Sequence, residues 1–321
     1  MKQQLLKNEA RETAAPASGT DAAAPDRRGR RRARGVRQVP FRERAMQAVF
    51  CLAACASIAA VVLICVFLFA NGLPAIAEIG PLNFLLGQKW KPSNDIYGIL
   101  PMILGSVYVT AGALVIGVPV GILTAVYLAR FCPKGLYRVV KPAVDLLAGI
   151  PSVIYGFFGL VVLVPLVKQL FGARNGSTML TASLLLGMMI LPTVISVSEA
   201  ALRAVPEAYY EGALALGATP ERSVFATVLP AARSGVLAGV VLGVGRAVGE
   251  TMAVMMVAGN QARMPKGLLN GVRTLTTNIV LEMGYAADLH REALIATGVV
   301  LFVFILLINL CFAALKRRSD S

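Results

Sequence analysis

Six stretches of this chain are apolar for long enough to cross a bilayer, and no other feature restricts its fold as much. They run at about 46–70, 100–129, 143–167, 179–198, 235–258 and 292–315. A hydrocarbon core about 30 Å thick needs about 20 consecutive apolar residues of helix. Over 321 residues the chain is 57% hydrophobic and only 15% charged, which excludes an ordinary soluble domain of this size. The runs therefore predict an all-α integral membrane protein with six transmembrane helices. The second run is long enough to tilt or to bend at Pro119.

The formal charge of +14 sits mostly at the amino end, where Arg27, Arg28, Arg30, Arg31, Arg32 and Arg34 are close together. It marks orientation rather than nucleic acid. With that end in the cytoplasm, Arg130, Lys134, Arg138, Lys141, Arg203, Arg222 and Arg233 also fall inside, with Lys316, Arg317 and Arg318. That is the positive-inside arrangement, with both termini cytoplasmic as six spans require. Residues 1–45 read as a disordered, basic cytoplasmic tail, since 1–40 are rich in Ala, Pro and Arg and lack apolar periodicity. The rest divides into a first span at 46–70, a periplasmic loop at 71–99, a core at 100–315 with an inner loop at 199–234, and a cytoplasmic tail at 316–321.

The fifth run holds two ionisable groups where hydrocarbon makes them costly. It opens near Gly235 and closes near Gly259, so Arg246 stands about eleven residues in, roughly 16 Å along a helix and close to the midplane. A charge there costs from about 3 kcal/mol to well over 10 and is tolerated where it faces protein or a wet cavity. Read as one helix, Gly235, Gly239, Gly243, Arg246, Glu250 and Ala253 share a sector. Leu237, Val241, Val244, Val248, Met252 and Met255 cover the opposite, lipid-ready side. The pair is then either a structural i,i+4 ion pair or part of a solute path. Gly149-Ile150-Pro151-Ser152 breaks the entry to the third span, and broken helices border solute paths, which adds Ser152 to the candidates.

The inner loop at 199–234 reads as a helix–turn–helix hairpin. Pro206 opens a helix through Glu207, Tyr209, Glu211 and Leu214 that stops at Gly217. Thr219 and Pro220 start a second helix, which ends near Leu229-Pro230. Ala213, Leu214 and Leu216 are available for a partner's groove.

This hairpin resembles the inner loop of ABC importer permeases: E-A-A, three residues, G, nine residues, I, one residue, L-P. Glu211, Ala213, Gly217, Leu229 and Pro230 stand at matching positions, and Gly212 and Thr227 depart from it. Three further stretches are similar to the PstC-type permeases of the bacterial high-affinity phosphate importer. They are AGIPSVIYGFFGL (148–160), LPAARSGVLAGVVLGVGRAVGETMAVMMVAGN (229–260) and VRTLTTNIVLEMGYA (272–286). The likeness extends from about residue 96 to the carboxy end. The sister PstA-type subunit shares the first stretch and a related GRAxGE pattern, whereas Gly259-Asn260 and Thr274–Glu282 favour PstC.

The resemblance implies an ABC importer permease fold with a cytoplasmic coupling-helix hairpin. It also implies a heterodimer with a PstA-like permease, a PstB-like ATPase dimer below and a PstS-like periplasmic phosphate-binding protein outside. Glu211, Ala213, Leu214, Gly217 and Pro230 would meet the ATPase, and Arg246, Glu250 and Ser152 would line the phosphate pathway. Without a G-x-x-x-x-G-K-[ST] run the chain is a permease subunit rather than an enzyme, and ATP falls to a partner. His290 is the sole histidine, and Cys51, Cys55, Cys65, Cys132 and Cys311 lack ligand spacing, so neither a cofactor nor a metal is expected. Membrane lipid, not nucleic acid, completes the partners. The rival solutes are other oxyanions (molybdate, sulfate, phosphonate), and the rival class is a secondary anion transporter that needs no ATPase. Trp90, between Lys89 and Lys91, is either an interfacial anchor or a docking contact.

Overall fold

Glycine and proline decide where these helices touch and where they break. The computed structural model describes residues 41–173 and 175–320, which form two units, Met1–Ile58 and Ala59–Ser321. The expectation of disorder over 1–45 lies outside the described residues as far as 40, and residues 41–45 depart from it, because the helix of the first span already begins at Phe41. In the first unit the chain is the opening of helix α1 (Phe41–Ile79), with every side chain from Met46 to Ile58 exposed.

In the second unit, α1 continues nine residues past its expected end because its outer part is packed. Ala75 is buried, and a Cβ on Gly72 would meet Val299 and Ala296 of the last helix, α14 (Asp288–Asp320). A short α2 (Pro81–Leu86) and a two-stranded antiparallel hairpin follow, β1 (Trp90–Lys91) and β2 (Ile96–Tyr97), with Trp90 opposite Tyr97. The next span, α3 (Leu100–Val126), lies beside α7 (Met179–Ala204). A Cβ on Gly112, Gly117 or Gly121 would collide with Ser183, Gly187 and Ile190, or Val194 respectively. The numbers rise together, so these two helices run parallel at a spacing that only glycine permits.

Between them, α4 (Lys134–Gly149) is a separate amphipathic helix, and the third span occupies α5 (Ser152–Phe158) and α6 (Val164–Phe171). The expected span at 143–167 is thus displaced outward to Ser152–Phe171. The apolar residues at 143–150 belong to α4, whose Lys141 is bound to Asp145 and Glu199. The inner hairpin is α8 (Glu207–Ala215) and α9 (Pro220–Ser223), continued by α10 (Leu229–Ala231). The fifth span, α11 (Arg233–Gly249), leaves the hairpin at a 72° bend. The outer end holds α12 (Met252–Val257) and α13 (Leu275–Glu282). Among the described residues five helices are long and apolar enough to cross a membrane, six with the bent pair.

Three wide π turns interrupt the helices at Tyr127–Phe131, Gly159–Leu163 and Val224–Val228. Each ends two residues before a proline: Pro133, Pro165 and Pro230. A proline ring inside a helix crowds the carbonyl four residues back. At Pro165 and Pro230 that carbonyl sits at the middle of the turn, whereas Pro133 follows an extended Cys132 where α3 has already ended. Widening the turn makes room, so the second hairpin helix passes Leu229-Pro230 instead of stopping there.

Candidate functional site

The fifth span is not the continuous helix expected at 235–258. It stops at Gly249, Glu250 is extended (φ −71°, ψ 127°), and α12 starts at Met252. The Glu250 side chain replaces the lost helical bonds by accepting the Ala253 N–H at 3.1 Å, as an N-cap does. Its carbonyl accepts the Thr276 hydroxyl at 3.2 Å. Arg246 and Glu250 therefore do not stack as an i,i+4 pair. Among the described residues no carboxylate lies within ion-pair distance of Arg246.

The faces of α11 also differ from the helical wheel. Gly235, Gly239 and Gly243 do pack on a neighbour, since a Cβ there would meet Ala201, Ser198 and Val197, or Val194 of the antiparallel α7. Val244 and Val248, assigned to lipid by the wheel, are buried instead. The open side carries Leu242, Gly245 and Gly249, with Arg246 half-buried beside them. A side chain on Gly245 or Gly249 would meet nothing within 4 Å.

Ser152 arrives at the same level by a second break. After Gly149-Ile150-Pro151, α5 runs parallel to α12: a Cβ on Gly156 would meet Ala253 and Met256, and one on Gly159 would meet Val257. Extending that register inward sets Ser152 level with the gap after Gly249. The Tyr155 hydroxyl, one turn into α5, donates to the Leu147 carbonyl at 2.9 Å. The first turn of α13 reaches the break in the fifth span through Thr276 and the Glu250 carbonyl. The two breaks thus lie level, with Ser152 opening α5, Glu250 capping α12, and Arg246 in α11 one turn before the gap. Helix amino ends and arginine both favour anions.

Sequence reasoning missed the outer closure. α13 was read as part of a loop, yet Leu275, Thr276, Thr277, Asn278 and Glu282 are all buried. A Thr274–Thr277 capping box opens it, and the Ser106 hydroxyl takes the Leu275 N–H at 3.0 Å. The available signal was Thr274 as an N-cap residue before the apolar Leu275, although Thr277 stands where the usual capping-box signature has Glu or Gln. At its far end Glu282 accepts from Trp90 Nε1 (2.8 Å), pairs with His290 Nε2 (2.9 Å) and is salt-bridged to Arg273. Arg273 also donates to the Asn260 carbonyl (3.1 Å) and to Asn278 Oδ1 (3.0 Å). Trp90 is therefore a buried structural residue, and neither a membrane anchor nor a docking contact.

At the inner end the hairpin has the expected joints. Gly217 takes φ +87° after α8, and the Thr219 side chain caps α9 by accepting the Arg222 N–H at 3.3 Å. Glu211, Gly217 and Pro230 are exposed, as is Leu216 at 91%. Ala213 and Leu214 are half-buried, turned toward the hairpin, so Leu216 and Tyr209 form the apolar surface free for a partner.

The comparisons with known proteins agree with this architecture. Residues 117–321 match the family model described as binding-protein-dependent transport system inner membrane component. The chain belongs to that family. It is a multi-pass inner-membrane permease subunit. It is 40% identical to a probable ABC transporter permease protein, YqgH, of Bacillus subtilis, over 78% of this chain and 85% of the relative. It is 36% identical to the phosphate transport system permease protein PstC of Mesorhizobium japonicum, over 80% and 85%. In fold it resembles a bacterial alginate ABC transporter chain at TM-score 0.59 and 18% identity, covering 86% of this permease and 96% of that chain. A MetNI methionine ABC transporter chain follows at TM-score 0.52 and 24% identity, covering 69% and 94%.

Proposed function

We infer that this permease is the PstC-type subunit of an ATP-driven importer of inorganic phosphate. The observation that carries the reading is Arg246. It is a cation in the middle of a membrane protein, has no carboxylate partner among the described residues, and stands one turn before a helix break. Such a place suits a transient anion. Arg246 supports the anion class, and the PstC relatives support phosphate over other oxyanions.

In this reading the phosphate, released outside by a PstS-like binding protein, reaches Arg246 once α13 and the Glu282 clasp let it pass. The guanidinium offsets the desolvation of the anion through charge-assisted hydrogen bonds. Ser152 and the Thr276 hydroxyl supply neutral contacts at the same level. Glu250 shapes the break by capping α12, and its carboxylate keeps the site from holding phosphate too tightly, since rapid passage needs weak binding. A PstA-like subunit covers the open face of α11 at Gly245 and Gly249. A PstB-like ATPase pair grips the hairpin through Glu211, Leu216 and the turn at Gly217, and Ala213, Leu214 and Pro230 hold its shape. Both termini then lie in the cytoplasm, and the layout of tail, first span, outer loop and core follows.

The deciding experiment is phosphate uptake by vesicles holding the complete importer, with wild-type, Arg246→Gln and Glu250→Gln chains. Loss of uptake in the Arg246 variant, with ATPase assembly intact, is the expected result. Import at the wild-type rate by both variants would remove the pathway assignment.

A further inference from the structure

Two arginines at the inner rim cap each other's helices. Arg130, in the π turn that ends α3, donates from Nη2 to the Leu202 carbonyl in the last turn of α7 at 3.2 Å. Arg203, in that last turn of α7, donates from Nη2 to the Leu128 carbonyl at 2.8 Å. Carbonyls at helix ends lack intrahelical partners, so the exchange supplies both helices at once and ties the second span to the fourth. Each arginine is then seated on an aromatic ring, Arg203 on Tyr137 at 4.6 Å and Arg130 on Tyr210 at 5.8 Å.

The coupling hairpin enters this knot at one point. No side chain of α8 is fully buried. Its hold on the spans is the half-buried Tyr210 in the inner apolar cluster and Glu207, whose carboxylate accepts from Arg130 Nη1 at 2.7 Å. Arg130, Arg203, Glu207 and Tyr210 line an open pocket of about 330 Å³ between α8 and the spans, so α8 is not packed tightly against them there. Along the chain itself, α8 is joined only to the fourth span through Pro206 and to the fifth through α9 and α10. Any force on the second span must cross by contact.

The second half of the hairpin meets the second span in an apolar cluster, Val224 and Val228 with Ala125 and Val126, whereas α8 meets it through Arg130. We propose that Arg130 is the positioning residue through which movement of α8 reaches the second span. Glu207 and Tyr210 grip it from α8, and the Leu202 carbonyl keeps it registered to α7. When the ATPases close, the hairpin carries the inner ends of α3 and α7 with it as one body. Without the grip, α8 shifts against the spans and the motor turns over with less transport. This rests on the importer reading above.

The test is the number of phosphate ions imported per ATP hydrolysed in vesicles containing the whole transporter. Glu207 is 59% exposed, so Glu207→Gln leaves assembly intact. It should keep binding-protein-stimulated ATP hydrolysis while transport per ATP falls roughly 2- to 30-fold, the range over which single contacts alter coupling. Arg130→Glu should lower the ratio further, and the exchange that adds Glu207→Arg should recover part of that further loss; retained ATP hydrolysis separates lost coupling from a merely structural defect. An unchanged ratio in Glu207→Gln, or an exchange no better than Arg130→Glu alone, overturns the proposal. The wild-type importer separates the two readings. If it moves no phosphate, the solute assignment fails; the linkage is then read from spin labels at Ala208 of α8 and at the exposed Leu123 of α3. ATP should leave their separation unchanged in wild type, where the two move as one body, and change it in Glu207→Gln; a wild-type separation that changes as much as the variant's overturns the linkage.

Discussion

The Thr276 hydroxyl donates to the Glu250 carbonyl at 3.2 Å, so the re-entrant helix α13 is fastened to the break in the fifth span. That bond joins the outer closure to the level at which Arg246 stands. A carbonyl freed by a helix break and partly buried needs a partner. Thr276→Val keeps the shape and removes the donor, leaving the carbonyl unsatisfied at a cost of about 1–3 kcal/mol. The variant should show a lower unfolding temperature in detergent and reduced phosphate uptake, with ATPase association unchanged. Wild-type values in both assays would mean that α13 and α11 move independently.

Arg246 should behave in the opposite way with respect to stability. It has no carboxylate partner among the described residues, so truncation removes a desolvated charge without orphaning another group. Arg246→Gln is expected to leave the unfolding temperature of the complex unchanged or raised. Transport should drop by about tenfold or more, the scale of a charge-assisted hydrogen bond. Retained transport together with a fall in stability would recast the residue as structural.

The six spans and the hairpin joints were legible because apolar length, Pro206, Gly217 and Thr219-Pro220 act locally. The setting of Arg246 was half legible. Its depth and its glycine face could be read from the fifth run, but a helical wheel presumes an unbroken helix. The break at Glu250 depends on Thr276, 26 residues away, which no local rule sees. α13 was hidden for a related reason: eight residues with four polar side chains look like a loop until Thr274, Glu250, Arg273, Trp90 and His290 satisfy them from outside the helix. The third span was displaced because the apolar end of an amphipathic helix and the start of a span look alike in composition.

The Glu282 clasp should fail only in strong acid. Burial by itself pushes this carboxyl up, but hydrogen bonds from Trp90, His290 and Arg273 outweigh it and hold the group below the ordinary carboxylate range. A group so lowered contributes stability above its unfolded value, near about 4, and the contribution is lost as pH falls through the folded value. The unfolding temperature of wild type should therefore exceed that of Glu282→Gln at pH 7, and the gap should close as the medium is acidified. A gap that stays constant with pH would show that the charge of Glu282 does not hold the outer end.

The parallel contact between the second and fourth spans should tolerate no added carbon. A Cβ on Gly117 would lie 2.7 Å from the Gly187 carbonyl oxygen and 2.8 Å from Ile190, and neither backbone nor buried Ile190 can retreat. Gly117→Ala should cost about 1–3 kcal/mol through overpacking. Gly135→Ala, at a helical glycine with nothing within 4 Å, should instead be neutral or stabilising by about 0.5–1 kcal/mol. Thermal unfolding of the two variants side by side checks the contrast, and equal effects would remove the case for close packing.

Leu216 decides whether the hairpin tip is the motor's handle. It ends α8 with 91% of its surface exposed, directly before the left-handed Gly217 that turns the chain. A large apolar side chain presented on a turn of fixed geometry, beside exposed Glu211 and Tyr209, suits an anchor seated in a partner's groove. In the isolated chain Leu216→Asp removes no packing, so folding and membrane insertion should be unaffected. In the complex it buries a charge, and ATPase co-purification should be lost while Leu216→Met retains it. If the aspartate variant assembles and transports as wild type does, the ATPase grips the hairpin elsewhere, and the exposed leucine has no part in docking.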